Sequence, residues 1–350
     1  MGGCNGLSLS RRAAKNMKRK DPREDYMRHF KLAALAATAI VAATAVAAQD
    51  RTGWPSSLTV GTASQGGVYF VYGNGLAAFI SEELGISSSG EVTGGPVQNV
   101  TLVQMGEHDI GLVTMGPMFE AWTGVSELAP GLEHTDVRAL FPMYETPFQG
   151  IALRSQGINS IGDLAGKRVS VGPAGGTPGT YWPRMLESLG VDATVSYAGA
   201  SDAASQLQDG LIDAFLFAAG LPIGAFSQLA AEADVNTFSF SDEEHAAILA
   251  AYPEVSDFTI PAGTYTVQDA DQNSVAMWNF AVARADMPES LAYEITKLVM
   301  ENNERMVQIH AAARATLPEN YLNNGFLPFH PGAVRWFEEN GFEIPAELKD

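Results

Sequence analysis

The sequence has a single cysteine, Cys4. It precedes a segment read below as a removable leader, so the mature chain is expected to hold no disulfide framework, no thiolate metal site and no cysteine nucleophile. Basic residues are also few, 21 against 40 acidic ones, for a net charge of −19. Nine of the basic residues lie in the first 48 positions, which leaves 12 basic and 37 acidic residues in positions 49–350. That balance disfavours nucleic acid and anionic membrane surfaces, because neutralising phosphates takes clustered Lys and Arg. It does not forbid an anionic ligand in a locally positive pocket. The six histidines are scattered, with no H-x-x-x-H or H-E-x-x-H pair, so no metal and no other cofactor is expected. His108 falls in an expected turn and reads as solvated. Phosphate-binding signatures are missing as well. Gly61 to Gly66 lacks the second glycine of G-x-G-x-x-G, no loop carries Gly-Lys-Ser/Thr, and no G-x-S-x-G elbow surrounds Ser64.

One long apolar run stands out, from Leu32 to Ala48, preceded by a short basic stretch beginning at Met27. It is rich in Ala and ends in small-x-small triplets such as Ala45-Val46-Ala47. This pattern is that of a cleaved signal peptide, and a run so short and weakly apolar is a poor membrane span. Residues 1–48 are therefore expected to be a basic leader and signal peptide, with Met27 as a possible true start, and the mature protein to reside in the periplasm.

The mature part begins with a strand-like run, Leu58 and Val60, that breaks into "GTASQGG" and then enters an apolar stripe at helical spacing. Val68, Val71, Tyr72, Leu76, Phe79, Ile80 and Leu84 form that stripe, and Gly85 suits a C-cap. A second helix is expected from Val97 to about Met105, and a buried strand over Ile110–Thr114. The same order returns about 105 residues later. "VGPAGGTPGTYW" passes from strand to loop to a helix over Tyr181 to Leu189, and Gly106, Asp109 and Gly116 match Gly210, Asp213 and Gly220 at one offset. Two strand–loop–helix units of this kind predict two α/β domains of related design. Asp109 and Asp213 precede buried strands, where turn contacts suit them. Residues 260–288 read as a returning strand pair. Leu291, Ile295, Leu298, Val299 and Met306 mark terminal helices.

A glycine-rich loop leading from strand to helix aims free N–H groups and the positive end of a helix dipole at one spot. Two such loops at the carboxyl ends of strands make an anion cleft. Ser64, Thr177 and Thr180 would add hydroxyls and Asn99 an amide. Tyr69 lies nearest the first loop, Tyr181 and Trp182 nearest the second, and Phe217 to Gly220 end a strand at the same edge. Arg184, one turn into the second helix, is the cation closest in sequence.

In order, "GTASQGGVYF", "TGGPVQN", "GEHDIG", "DLAGKRVSVG", "DGLIDAFLFAAGLP", "IPAGTY" and "LPFHPGAVRWFEE" resemble the TAXI family, solute receptors of tripartite ATP-independent periplasmic (TRAP) transporters. The likeness spans nearly all of residues 57–340. It implies a type II periplasmic-binding-protein fold, two α/β domains with a ligand cleft between them: residues 57–145 with 266–350, and residues 146–265. It also implies no catalysis, and a small organic anion such as glutamate, 2-oxoglutarate or a related dicarboxylate. The partner would be an integral-membrane TRAP permease. By position, ligand contacts fall on Ser64, Gln65, Gly66, Gly67, Tyr69, Asn99, Gly116, Gly176, Thr177, Thr180 and the Phe217–Gly220 edge. Pro96 and Gln98 depart from the family's usual residues. A monomer is the expected state. The rival readings are a receptor for an ATP-driven importer and an enzyme acting on a carboxylated or phosphorylated substrate.

Overall fold

The alternation around Leu58 and Val60 forms β1 (Ser57–Gly61), both side chains being buried, and the stripe after it forms α1 (Val68–Leu84). Gly85 ends α1 in the left-handed conformation, φ 67°, its N–H donating to Ser81 O. Val71 is the one member of the stripe turned outward, 43% exposed, on its far edge between Val68 and Tyr72. The computed structural model describes residues 51–349; the leader, its cleavage site and the expected start at Met27 lie outside them. No helix among the described residues is long and apolar enough to cross a membrane.

Next come β2 (Ser87–Glu91), α2 (Pro96–Gln104), β3 (Ile110–Thr114) and α3 (Met115–Trp122). A 17-residue strand, β4 (Val137–Leu153), carries the chain onward to β5 (Arg168–Ser170), α4 (Thr177–Ser188), β6 (Thr194–Ser196) and α5 (Ala200–Gln208). Then follow β7 (Ala214–Ala218), α6 (Gly224–Glu232), β8 (Val235–Phe238), α7 (Asp242–Ala251) and β9 (Ser256–Ile260). The long β10 (Gln272–Arg284) returns the chain, and α8 (Glu289–Met300), α9 (Asn303–Ile309) and α10 (Pro331–Glu339) close it.

The strands run in the order β2-β1-β3-β10-β4-β7-β5-β6, with β8 on β4 and β9 on β10. β1 pairs in parallel with β2 and β3, and β5 in parallel with β6 and β7. β4 and β10 lie antiparallel to each other and continue through both halves of the sheet. Three apolar clusters follow this division. One joins residues from Leu58 to Tyr144 with residues from Phe280 to Leu348. The others hold Phe148 to Met277 and Ile151 to Tyr265. Along β7, Ala214, Leu216 and Ala218 enter one of these two and Phe215 and Phe217 the other, so they lie on opposite faces of the second half-sheet.

The repeated grammar has a geometric counterpart. Asp109 N donates to Thr59 O at 3.1 Å while Thr59 N donates to Asp109 Oδ2 at 2.7 Å. In the second half, Asp213 N donates to Arg168 O at 2.7 Å and Arg168 N to Asp213 Oδ2 at 2.8 Å. Each aspartate thus clasps the start of the neighbouring parallel strand, the kind of turn contact expected of it. His108 corrects its reading. It is 4% exposed, not solvated, because the same clasp folds its ring against Gly61 of β1, and its Nε2 meets Glu91 Oε2, at the end of β2, at 3.2 Å.

Candidate ligand-binding site

Where the two halves meet, a cavity of about 40 Å³ is lined by both. Four helices begin at its wall. Their N-cap residues, Gly67 of α1, Gly95 of α2, Thr114 of α3 and Gly176 of α4, all line the cavity, and none offers a side-chain cap. No acidic residue occupies any of the four first turns. Each helix therefore turns the positive end of its dipole to the cavity without an internal counter-charge, although Pro96, Pro117 and Pro178 bring no N–H to the first turns of α2, α3 and α4 and Val97 N is already given to Gly175 O.

A hydroxyl network forms one wall. Tyr69 Oη donates to Asn279 Oδ1 at 2.5 Å and lies 3.0 Å from Thr114 Oγ1, which itself donates to Asn279 Oδ1 at 2.9 Å. Asn279 Nδ2 donates to Tyr144 O at 2.5 Å and to Thr146 Oγ1 at 2.8 Å. Thr177 Oγ1, from the second half, donates to Thr114 Oγ1 at 2.8 Å. Burial pushes the Tyr69 phenol up, against a smaller opposing pull from the Thr114 hydrogen bond, so it stays protonated.

Of the sequence-derived residues, Ser64, Gly67, Tyr69, Gly176, Thr177 and Phe217 line the cavity. Gln65 and Gly66 sit in the same loop but turn to the second half. Gln65 O accepts from Ser201 N and Gly66 O from Ala225 N, beside a bond from Ala200 N to Ser64 Oγ. Asn99 is fully buried behind the wall. Its Nδ2 donates to Gly61 O, Thr62 O and Leu112 O, and its Oδ1 accepts from Thr93 Oγ1, so it ties β1 to β3. Thr180 returns its hydroxyl to Gly176 O. Gly220 packs on Tyr144, and Gly116 packs on Tyr181, both of them lining a separate cavity of about 610 Å³.

Arg184 does not reach the cavity. It lies outside it, bonded to Glu120 Oε1 at 2.5 Å and Glu127 Oε1 at 2.9 Å, both carboxylates of the first half. Burial works against its charge, yet the two carboxylates outweigh it and hold the guanidinium's pKa raised. Tyr181 joins Glu120 as well, and Trp182 Nε1 donates to Phe217 O.

Thr114, Thr146 and Asn279 went unread. A signal existed for each of two. Thr114 closes a strand at its carboxyl end, and Asn279 is a lone amide inside the apolar run Val275–Val282. The halves also meet backbone to backbone. Val97 N donates to Gly175 O at 3.1 Å, and a Cβ on Gly95, φ 119°, would lie 2.8 Å from Gly176 Cα.

Two α/β halves sharing a pair of through-going strands, with a cavity walled by helix N-termini and hydroxyls, make a fold of the periplasmic-binding-protein type. The chain belongs to the NMT1-like family, whose model matches residues 60–341. Solved structures similar to it include the GluR0 ligand-binding core in complex with L-glutamate, at 14% identity and TM-score 0.46, covering 76% of this chain and 100% of that one. Another is an ancestral arginine-binding protein bound to arginine, at 16% identity and TM-score 0.47, covering 73% and 97%. A third is the alkanesulfonate-binding protein SsuA from Xanthomonas axonopodis pv. citri bound to MOPS, at 15% identity and TM-score 0.43, covering 81% and 84%.

Proposed function

We propose that the protein is a periplasmic receptor that captures a small organic anion by its carboxylate and presents it to an integral-membrane permease of the TRAP type. The observation that carries this reading is the convergence of four uncapped helix N-termini on one cavity. Each end favours a nearby anion by about 0.3–2 kcal/mol, so several together can replace an arginine. The TRAP partner rests on the TAXI-like motifs alone, and the periplasmic site on the leader.

In this reading residues 57–145 with 266–350 form one closing domain and residues 146–265 the other. Ser64, Gly67, Tyr69, Gly176, Thr177 and Phe217 face the ligand, joined by Thr114 and Thr146. Closure brings the start of α4, in one domain, to the starts of α1, α2 and α3 in the other, and the ligand shifts the open–closed balance by its preference for the closed form.

The test is thermal unfolding of the purified protein, stripped of carried-over ligand by unfolding and refolding. A carboxylate at about 100 times its dissociation constant should add about 2.7 kcal/mol of stability. A saturable rise in Tm with carboxylates, and none with sugars or nucleotides, is the expected result. Stabilisation by nucleotides alone would return the loop to an enzyme's phosphate site. Ligand uptake into vesicles holding a many-span permease, without ATP, checks the partner.

A further inference from the structure

Resting on the carboxylate-receptor reading, we infer that Tyr69 is a positioning residue: its phenol fills one of the two acceptor positions of Asn279 Oδ1, which leaves the Thr146 hydroxyl a proton to give to the bound carboxylate. The threonine, not the tyrosine, is then the donor in this wall.

The orientation of the amide comes first. Tyr144 O can only accept, so the Asn279 atom 2.5 Å from it is Nδ2, and Oδ1 faces the hydroxyls. Three hydroxyls lie within reach of Oδ1: Tyr69 Oη at 2.5 Å, Thr114 Oγ1 at 2.9 Å and Thr146 Oγ1 at 3.1 Å. An amide oxygen offers two lone pairs. The two shorter contacts fill them, and the longest is left over. Burial raises the Tyr69 pKa, so its phenol keeps the proton it gives. Thr114 Oγ1 itself accepts from Thr177 Oγ1 at 2.8 Å, which leaves its own proton directed at Oδ1.

Thr146 Oγ1 meanwhile serves this amide as an acceptor. Asn279 Nδ2 donates to it at 2.8 Å, and with that bond made the hydroxyl hydrogen turns elsewhere. Thr146 is 2% exposed and lines the cavity together with Tyr69. A hydroxyl proton buried without an acceptor is costly, and a carboxylate in the cavity supplies the acceptor. Ser64 is a donor of separate standing. Its Oγ accepts from Ala200 N at 3.2 Å and keeps its proton, and it shares no hydrogen-bond partner with Tyr69.

The experiment is isothermal titration of the stripped, refolded full chain with L-glutamate, 2-oxoglutarate, succinate and pyruvate, followed by variants with each probe that binds. Thr146→Val should weaken binding about tenfold or more, as expected for a lost hydrogen bond to a charged group, and Thr146→Ser should restore most of that loss. Tyr69→Phe should weaken it as well, because the vacated position on Oδ1 recaptures the Thr146 proton. The Tyr69→Phe, Thr146→Val double variant should then bind within about twofold of Thr146→Val, whereas the losses of Tyr69→Phe and Ser64→Ala should add. Additive losses in the Tyr69 and Thr146 pair would mean that the phenol donates to the carboxylate directly, and would overturn the inference. So would a Tyr69→Phe variant that binds like the wild type. Should Thr146→Val lack a cooperative unfolding transition, Thr146→Ala takes its place in the cycle. Wild-type binding of none of the four probes would overturn the carboxylate reading itself, and the inference with it.

Discussion

Asn279 is fully buried, yet its amide meets four partners: Tyr69, Thr114, Thr146 and the Tyr144 carbonyl. Removing it strands several polar groups where water does not reach. Asn279→Ala should cost roughly 1–3 kcal/mol in denaturant unfolding, more than the loss of a surface amide. Tyr69→Phe deletes one donor and leaves Asn279 Oδ1 with others, so it should cost about 1 kcal/mol. At this scale the sequence was partly legible. Ser64, Tyr69 and Thr177 could be read because loops and helix starts advertise themselves. Asn279 showed only as a lone amide in an apolar run, and its role stayed hidden because its partners, Tyr69 and Tyr144 among them, lie more than a hundred residues away in the chain.

The two aspartate clasps make the internal repeat physical, and they differ in one respect. Asp213 also receives the Arg168 side chain, Nη2 to Oδ1 at 2.7 Å. The Arg168 hydrogen bonds hold its carboxyl below the usual carboxylate range, against a smaller opposing effect of burial. A depressed folded pKa adds stability that is complete above the unfolded value and vanishes as pH falls through the folded one. The stability gap between wild type and Asp213→Asn should therefore be constant from neutral pH down to about 4 and narrow below it, as read by urea unfolding across pH. Among the elements, β3 matched its expected span, while α4 begins at Thr177, four residues ahead of the expected Tyr181. Pro178 and Gly179 read locally as loop, but a proline fits the first turn of a helix, where its missing N–H has no partner to lose.

Across the whole molecule the halves touch through the Gly95–Gly176 approach and through Arg184. Gly95→Ala puts a methyl group into a gap of 2.8 Å at a φ of 119°, so closure should fail. The ligand-induced rise in Tm should then disappear, with only a modest change in the ligand-free Tm. Arg184→Met removes a partly exposed ion pair, and affinity should fall about two- to fivefold. Salt should weaken binding in the wild type and leave that variant nearly unaffected in the same titration. None of these contacts was legible in advance, because a cross-half pair such as Arg184 and Glu120 leaves no periodicity in the sequence.

β10 lies between β3 and β4 in the sheet, though it follows β4 by more than a hundred residues. A chain delivered N-terminus first therefore brings out β1 to β4 long before the strand that joins β3 to β4 exists. Residues 148–277, by contrast, arrive as one uninterrupted stretch that already contains both of their apolar clusters. The order of assembly follows from this. The inserted half can consolidate while the chain is still emerging, and the outer half is finished only when its second segment arrives. A chain halted after residue 284 should already protect the inserted half from protease, while the outer half, lacking α8 to α10, is still open to cleavage.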